Sequence, residues 1–176
     1  MKTLLLLRHA KSDRSTSLDD AQRSLNARGR SAAPKIGAEM AARGFVPDFV
    51  LVSTAERTRQ TWALIAPELG AVAKPVEFQP HLYLASASRL LETIRKLDRD
   101  SRTLLIVGHN PGLEDLAARL SAKHQSPEAA RAMARLKTKF PTCALAALSF
   151  EIDAWTELRP ASGALIALMT PSSLED

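Results

Sequence analysis

Thr3-Leu4-Leu5-Leu6-Leu7-Arg8-His9-Ala10 sets an apolar run directly against a cationic and a titratable side chain, with no turn residue between them. A short run of this kind reads as a central strand covered on both faces, which leaves Arg8 and His9 at its carboxyl end. The layout recurs downstream, where Thr103 to Val107 runs into Gly108-His109-Asn110. In open α/β sheets ligands collect where the carboxyl ends of strands open into loops, so two histidines at two such ends mark a candidate active site.

Around these two strands, short apolar runs alternate with longer stretches of helical period, the pattern of an α/β domain with a largely parallel sheet. Phe49 to Val52 and Val76 to Phe78 read as further strands. Between the first strand and Phe49, the segment Gly29 to Arg43 places Ala32, Ala33, Ile36, Gly37 and Met40 at helical spacing, with Gly44 as its C-cap. Helices are also expected over Glu56 to Ile65, Ser88 to Leu97, Pro111 to Ser121 and Ser126 to Arg135. Asn110 is read as the N-cap before Pro111, and Ser53 as the N-cap before Glu56. Leu145 to Phe150 and Ala164 to Leu168 are expected to pair as an antiparallel edge. The expected architecture is a three-layer α/β/α sandwich, one domain over residues 1–176.

Composition narrows the classes further. An apolar fraction of 45% and a charged fraction of 24% are those of an ordinary globular chain. The single Cys143 allows no internal disulfide, no Cys/His cluster has zinc spacing, and the reading is a cytoplasmic protein without metal or cofactor. The leucine run before Arg8 falls short of the roughly 7 to 15 apolar residues of a signal peptide core. A net charge of +5 invites an anionic partner, but the basic residues are interleaved with acidic ones and aromatics are 5% of the chain. That dispersion argues against nucleic acid, no run approaches the roughly 18 apolar residues of a membrane span, and a small anionic group in a positive pocket accounts for the charge as well. The expected state is a monomer.

The chemistry follows from where the charges stand. Arg57 falls in the first turn of the helix after Phe49 to Val52, where the macrodipole disfavours a cation unless a bound anion is shared. Arg8, Arg57, His9, His109 and the start of the helix at Asn110-Pro111-Gly112 then converge on one rim of the sheet. Guanidinium groups grip phosphate bidentately, and phosphoryl transfer needs its equatorial charge neutralised, so the cluster reads as a phosphate pocket. Lys11 and Ser12 lie beside it, and Arg23 with Arg28 could form a basic rim for a protein substrate. Cys143, Trp62 and Trp155 read as packing residues and His124 as a surface residue.

With these residues in place the chain resembles the histidine phosphatase superfamily, whose Arg-His-Gly signature appears here as Arg8-His9-Ala10. The resemblance continues through Ser53-x-Ala55-x-Arg57-Thr58-x-Gln60-Thr61 and Gly108-His109-Asn110-Pro111-Gly112. Within it, Leu6-x-Arg8-His9-Ala10-Lys11-Ser12 and Arg23-x-Leu25-x-x-Arg28-Gly29 are most similar to SixA-type phosphohistidine phosphatases. The resemblance implies a phosphoglycerate mutase-like fold, with His9 as nucleophile and Arg8, Arg57 and His109 holding the phosphoryl oxygens. Asn110, Ser53, Lys11 and Arg23 are expected to add contacts to the phosphate or substrate.

Many members place a carboxylate in the loop that corresponds to Gln79-Pro80-His81-Leu82-Tyr83-Leu84-Ala85, and this chain has none there. An alcohol leaving group needs such an acid, whereas imidazole leaves a phosphoramidate far more readily. Phosphohistidine on a signalling protein is therefore the expected substrate. A small phosphorylated metabolite is the alternative within enzymes, and an inactive phosphate-binding module the alternative outside them. Asp13, Asp19, Asp20, Glu114 and His81 remain the residues that could fold into reach as an acid.

Overall fold

The computed structural model describes residues 1–15, 17–70, 75–98, 100–122 and 127–174. Six strands form one sheet in the order β3-β2-β4-β1-β5-β6: β1 Lys2–Arg8, β2 Phe49–Ser53, β3 Val76–Gln79, β4 Thr103–Gly108, β5 Leu145–Phe150 and β6 Ala164–Met169. β3, β2, β4 and β1 run parallel, and β5 and β6 complete an antiparallel edge against β1.

Alternation along the strands builds the three layers. Leu4, Leu6, Phe49, Leu51, Leu104 and Ile106 face one core, and Leu5, Leu7, Val50, Val52, Leu105 and Val107 face the other. Both sets are buried, which is why β1, β2 and β4 read as continuous apolar runs rather than alternating ones. The first core is covered by α3 Ala87–Arg95, α4 Gly112–Leu120 and α5 Pro127–Thr138, the second by α1 Ala27–Ala42 and α2 Glu56–Ile65. Trp62 and Trp155 are buried in these two cores, and Cys143 is buried with its thiol pushed up to about 12 by desolvation.

Local chemistry moves several helix ends from their expected positions. Asn26 caps α1, its side chain accepting from the Gly29 amide, so α1 begins before Gly29. Ser86 does the same for α3 through the Arg89 amide. Gly44 follows α1 with φ +72, the left-handed conformation expected of a glycine that ends a helix. The expected start of α5 at Ser126 and the reading of His124 lie outside the described residues.

Two close approaches join the layers at the carboxyl end of the sheet. A Cβ on Gly29 would stand 2.2 Å from the Lys11 carbonyl oxygen, and one on Gly112 would stand 1.9 Å from that of Ala85. The absence of a side chain thus lets the first turn of α1 press on the loop after β1, and the first turn of α4 on the loop after β3.

Candidate active site

β1 and β4 are paired in register from Thr3 with Thr103 to Arg8 with Gly108. The two histidines therefore leave neighbouring strands at the same height, with ring centroids 5.3 Å apart. The His9 amide donates to the Gly108 carbonyl, and the Cys143 amide is shared between the carbonyls of Arg8 and His9. Main chain on both sides thus holds the strand end that carries the pair.

His9 Nδ1 lies 2.7 Å from the Ala10 carbonyl oxygen. A carbonyl can only accept, so Nδ1 carries the proton and Nε2 keeps its lone pair. The Ala10 peptide is fixed in turn, because its amide donates to Thr61 Oγ1, which donates to the Arg57 carbonyl. Burial, opposed by the Ala10 bond and reinforced by Arg57, Arg8 and Arg23, pushes His9 down to about 4. At neutral pH the imidazole is uncharged, with a free lone pair on Nε2.

His109 is buried, and its Nε2 lies 2.8 Å from Ser53 Oγ while Nδ1 lies 3.4 Å from Arg57 Nη2. A guanidinium can only donate, so Nδ1 accepts and Nε2–H donates to Ser53. Burial, His9 and Arg57 push His109 down to about 3. At neutral pH it is uncharged, with its Nε2–H committed to Ser53.

Arg57 spends Nη1 on the Asp20 carbonyl at 2.6 Å and Nη2 on Asp20 Oδ2 at 3.0 Å. Arg8 donates through Nη1 to the Phe140 carbonyl at 2.8 Å. The Nε atoms of both arginines are buried without a protein partner, so each guanidinium retains donor capacity for an anion. Arg8, His9, Arg57 and His109 line one cavity of about 240 Å³, joined at its wall by Asp20, Lys11, Arg23 and Asn110. Among the described residues, no group of three or more His, Cys, Asp or Glu side chains is placed to hold a metal ion.

Each expected contact residue has a definite place. Lys11, Ser12, Arg23 and Asn110 line the cavity, but Ser53 does not. Ser53 closes β2 rather than capping α2, whose N-cap is Ala55, and it reaches the cavity only through His109. Asn110 does not cap α4 either. Its amide donates to Glu114 and to the Phe140 carbonyl, which turns the side chain away from the helix amides, and Pro111 stands at the cap position.

Of the candidate acids, Asp20 comes into the cavity, while Asp13, Asp19, His81 and Glu114 do not line it. The reason is the bridge between Ser12 and Leu25, which folds the loop after β1 back on itself and carries a short turn, Asp20–Gln22, over the site. Tyr83, Arg23 and Arg57 all donate to the Asp20 carboxylate and hold it well below the usual carboxylate range. The anion that Arg57 requires at its helix start is thus supplied within the chain itself.

The profile of the histidine phosphatase superfamily (branch 1) matches residues 4–83. Over 165 residues the chain is 34% identical to the uncharacterised protein Rv1276c of Mycobacterium tuberculosis strain H37Rv, covering 94% of this chain and 99% of that one. The chain belongs to the histidine phosphatase superfamily. Its structure is similar to a proposed phosphohistidine phosphatase SixA from Nakamurella multipartitia, with TM-score 0.80, 28% identity, and coverage of 97% of this chain and 96% of that chain. It is also similar to a proposed SixA from Agrobacterium tumefaciens, with TM-score 0.77, 28% identity and coverage of 97% and 98%. The fold is the phosphoglycerate mutase-like α/β fold of these neighbours, and the superfamily supports a phosphatase of the histidine phosphatase type.

Three further residues shape the site of this superfamily member without a signal of their own in its sequence. Tyr83 donates to Asp20, stands edge-on to His109 with centroids 5.4 Å apart, and lies under the Arg57 guanidinium. It stands in the loop Gln79 to Ala85, where the lack of a carboxylate gives no hint of a working phenol. Thr61 closes the Ser53 to Thr61 pattern, but that its hydroxyl holds the Ala10 peptide depends on how α2 docks beside the end of β1. Arg14 lines the cavity from a loop with no periodicity to place it.

Proposed function

We propose that this protein is a phosphatase working through a phosphohistidine intermediate on His9, with phosphohistidine on a protein as its substrate. The observation that carries this reading is the His9 Nδ1–Ala10 bond, which leaves a neutral Nε2 lone pair beside Arg8, Arg57 and His109. Nε2 attacks phosphorus, the bond from phosphorus to the substrate imidazole breaks, and its electron pair returns to that leaving nitrogen. Water then cleaves the P–N bond on His9 and releases inorganic phosphate. Arg8, Arg57 and His109 face the charge that spreads over the phosphoryl oxygens, and the arriving dianion favours protonation of His109. No step in this scheme uses a metal ion.

Asp20 supports the choice of substrate. It is the carboxylate that does reach the cavity, and Tyr83, Arg23 and Arg57 keep it ionised, so it has no proton to give an alkoxide at neutral pH. Imidazole needs no such donor when its other ring nitrogen is protonated. The likeness at 28% identity to two proposed SixA proteins supports the same assignment.

Two measurements test the reading. A labelled phosphoryl donor should give an acid-labile, alkali-stable phosphoenzyme that is lost in His9→Ala; label that persists in the variant refutes the nucleophile. Turnover of a phosphohistidine-bearing protein should exceed that of sugar phosphates. A sugar phosphate preferred by several orders of magnitude refutes the substrate, and bound phosphate without turnover of any substrate refutes the enzyme.

A further inference from the structure

A second concavity of about 350 Å³ adjoins the active-site cavity and shares Arg8, Lys11, Arg14 and Thr142 with it. Arg28 and Lys139 extend it away from His9, and among the described residues no acidic side chain lines it. Its five cationic residues come from the end of β1, the loop after β1, the first turn of α1 and the segment after α5. Among the described residues, none of Lys11, Arg14, Arg28 and Lys139 forms an ion pair, although 19 acidic residues stand in the chain. Four cations without an ion-pair partner among the described residues thus stand beside His9.

Two details show that the groove is adapted to negative charge. The first turn of α1 holds no acidic residue and carries Arg28, a cation at the helix end whose dipole disfavours one. Arg8 joins groove and cavity, and its Nε is buried without a protein partner. The groove is exposed along Lys11, Arg14, Arg28 and Lys139, long side chains that reach into solvent. Two or three cations suffice to hold one phosphate, whereas five spread over four segments suit several carboxylates spaced along a polypeptide.

We infer that this groove binds acidic side chains flanking the phosphohistidine of a protein substrate, and so selects substrates by the charge of the neighbouring sequence. The inference rests on the proposed phosphohistidine activity. Before chemistry, the acidic flank settles over Arg28, Arg14 and Lys139 while the phosphoryl group enters between Arg8 and Arg57. Rim charges of this kind act mainly on encounter and on KM, and their effect weakens with salt.

The test uses the intact chain and peptides carrying one phosphohistidine between acidic, neutral or basic flanks, with an aryl phosphate as the small control. KM should be lowest for the acidic peptide by about ten-fold over the neutral one, and the advantage should shrink as salt is raised. The double variant Arg28→Glu/Lys139→Glu should remove that advantage while kcat/KM for the aryl phosphate stays within about two-fold. Equal KM for all flanks overturns the groove assignment and leaves the phosphohistidine activity standing. Turnover of the aryl phosphate with none of any peptide overturns both. A small bisphosphate preferred over every peptide, and sensitive to the double variant, assigns the groove to a second phosphate instead.

Discussion

Ser53→Ala probes how His109 is held. Ser53 is wholly buried at the end of β2, and its Oγ meets His109 Nε2 at 2.8 Å. The substitution keeps the strand and removes one oxygen, leaving a buried imidazole N–H without an acceptor. Such a stranded donor costs about 1–3 kcal/mol. If the ring turns to recover a partner, the cost falls on the face presented to the phosphoryl group, and kcat/KM drops by roughly 5- to 150-fold. Ser53 accepts from the same N–H when the arriving anion draws a second proton to Nδ1, so alanine strands that donor in both protonation states. Steady-state hydrolysis of an aryl phosphate and urea unfolding should be measured on the same preparation. A stability loss with kcat/KM within about two-fold of the parent would refute the positioning argument, since the bond would then serve the fold alone.

Four further outcomes follow from the site. Asp20→Asn removes the carboxylate that competes for Arg57, so inorganic phosphate should inhibit several-fold more strongly; weaker inhibition would show that Asp20 chiefly holds Arg57 in place. His9 must be neutral to attack, and with its folded value at about 4 the acid limb of kcat/KM should fall near there rather than near the ordinary histidine value of about 6.5. The same depression sets a stability trend: His9 and His109 contribute no penalty above about pH 6.5, and stability is lost as pH falls from there through about 4, measurable as a urea midpoint lower at pH 5 than at pH 7 and less so in His9→Asn. Thr61→Val keeps the β-branched shape but strands the buried Ala10 amide, and should lower unfolding free energy by about 1–3 kcal/mol together with kcat; unchanged kcat would separate the Ala10 peptide from catalysis.

The parts of this site legible in the sequence are those that local pattern dictates. Runs such as Thr3 to Leu7 and Thr103 to Val107 can hardly be anything but covered strands, and a residue placed directly after one has little freedom in height above the sheet. Arg57 was legible because a cation in a first helical turn is out of place without an anion. What could not be read depends on how distant segments meet. Asp20 lies in a loop without period, and its arrival over Arg57 is decided by the Ser12–Leu25 bridge. Ser53 and Asn110 were misplaced for a common reason: both are good capping residues next to helices, and both instead satisfy partners brought in by tertiary structure, His109 in one case and the Phe140 carbonyl in the other.

The His9 ring takes its orientation from a peptide carbonyl rather than from a partner side chain. In a triad the orienting acid is a gene-encoded choice that one codon change can erase, but here any residue at position 10 able to adopt the same backbone would present the same oxygen. Alanine does so where the related signature has glycine, with its methyl buried in the core. The tautomer of His9 is therefore set by the path of the main chain and not by the chemistry of its neighbour's side chain. Redesign of the His9 tautomer would have to begin with what holds the main chain there, at Thr61 on one side and at the Cys143 amide on the other.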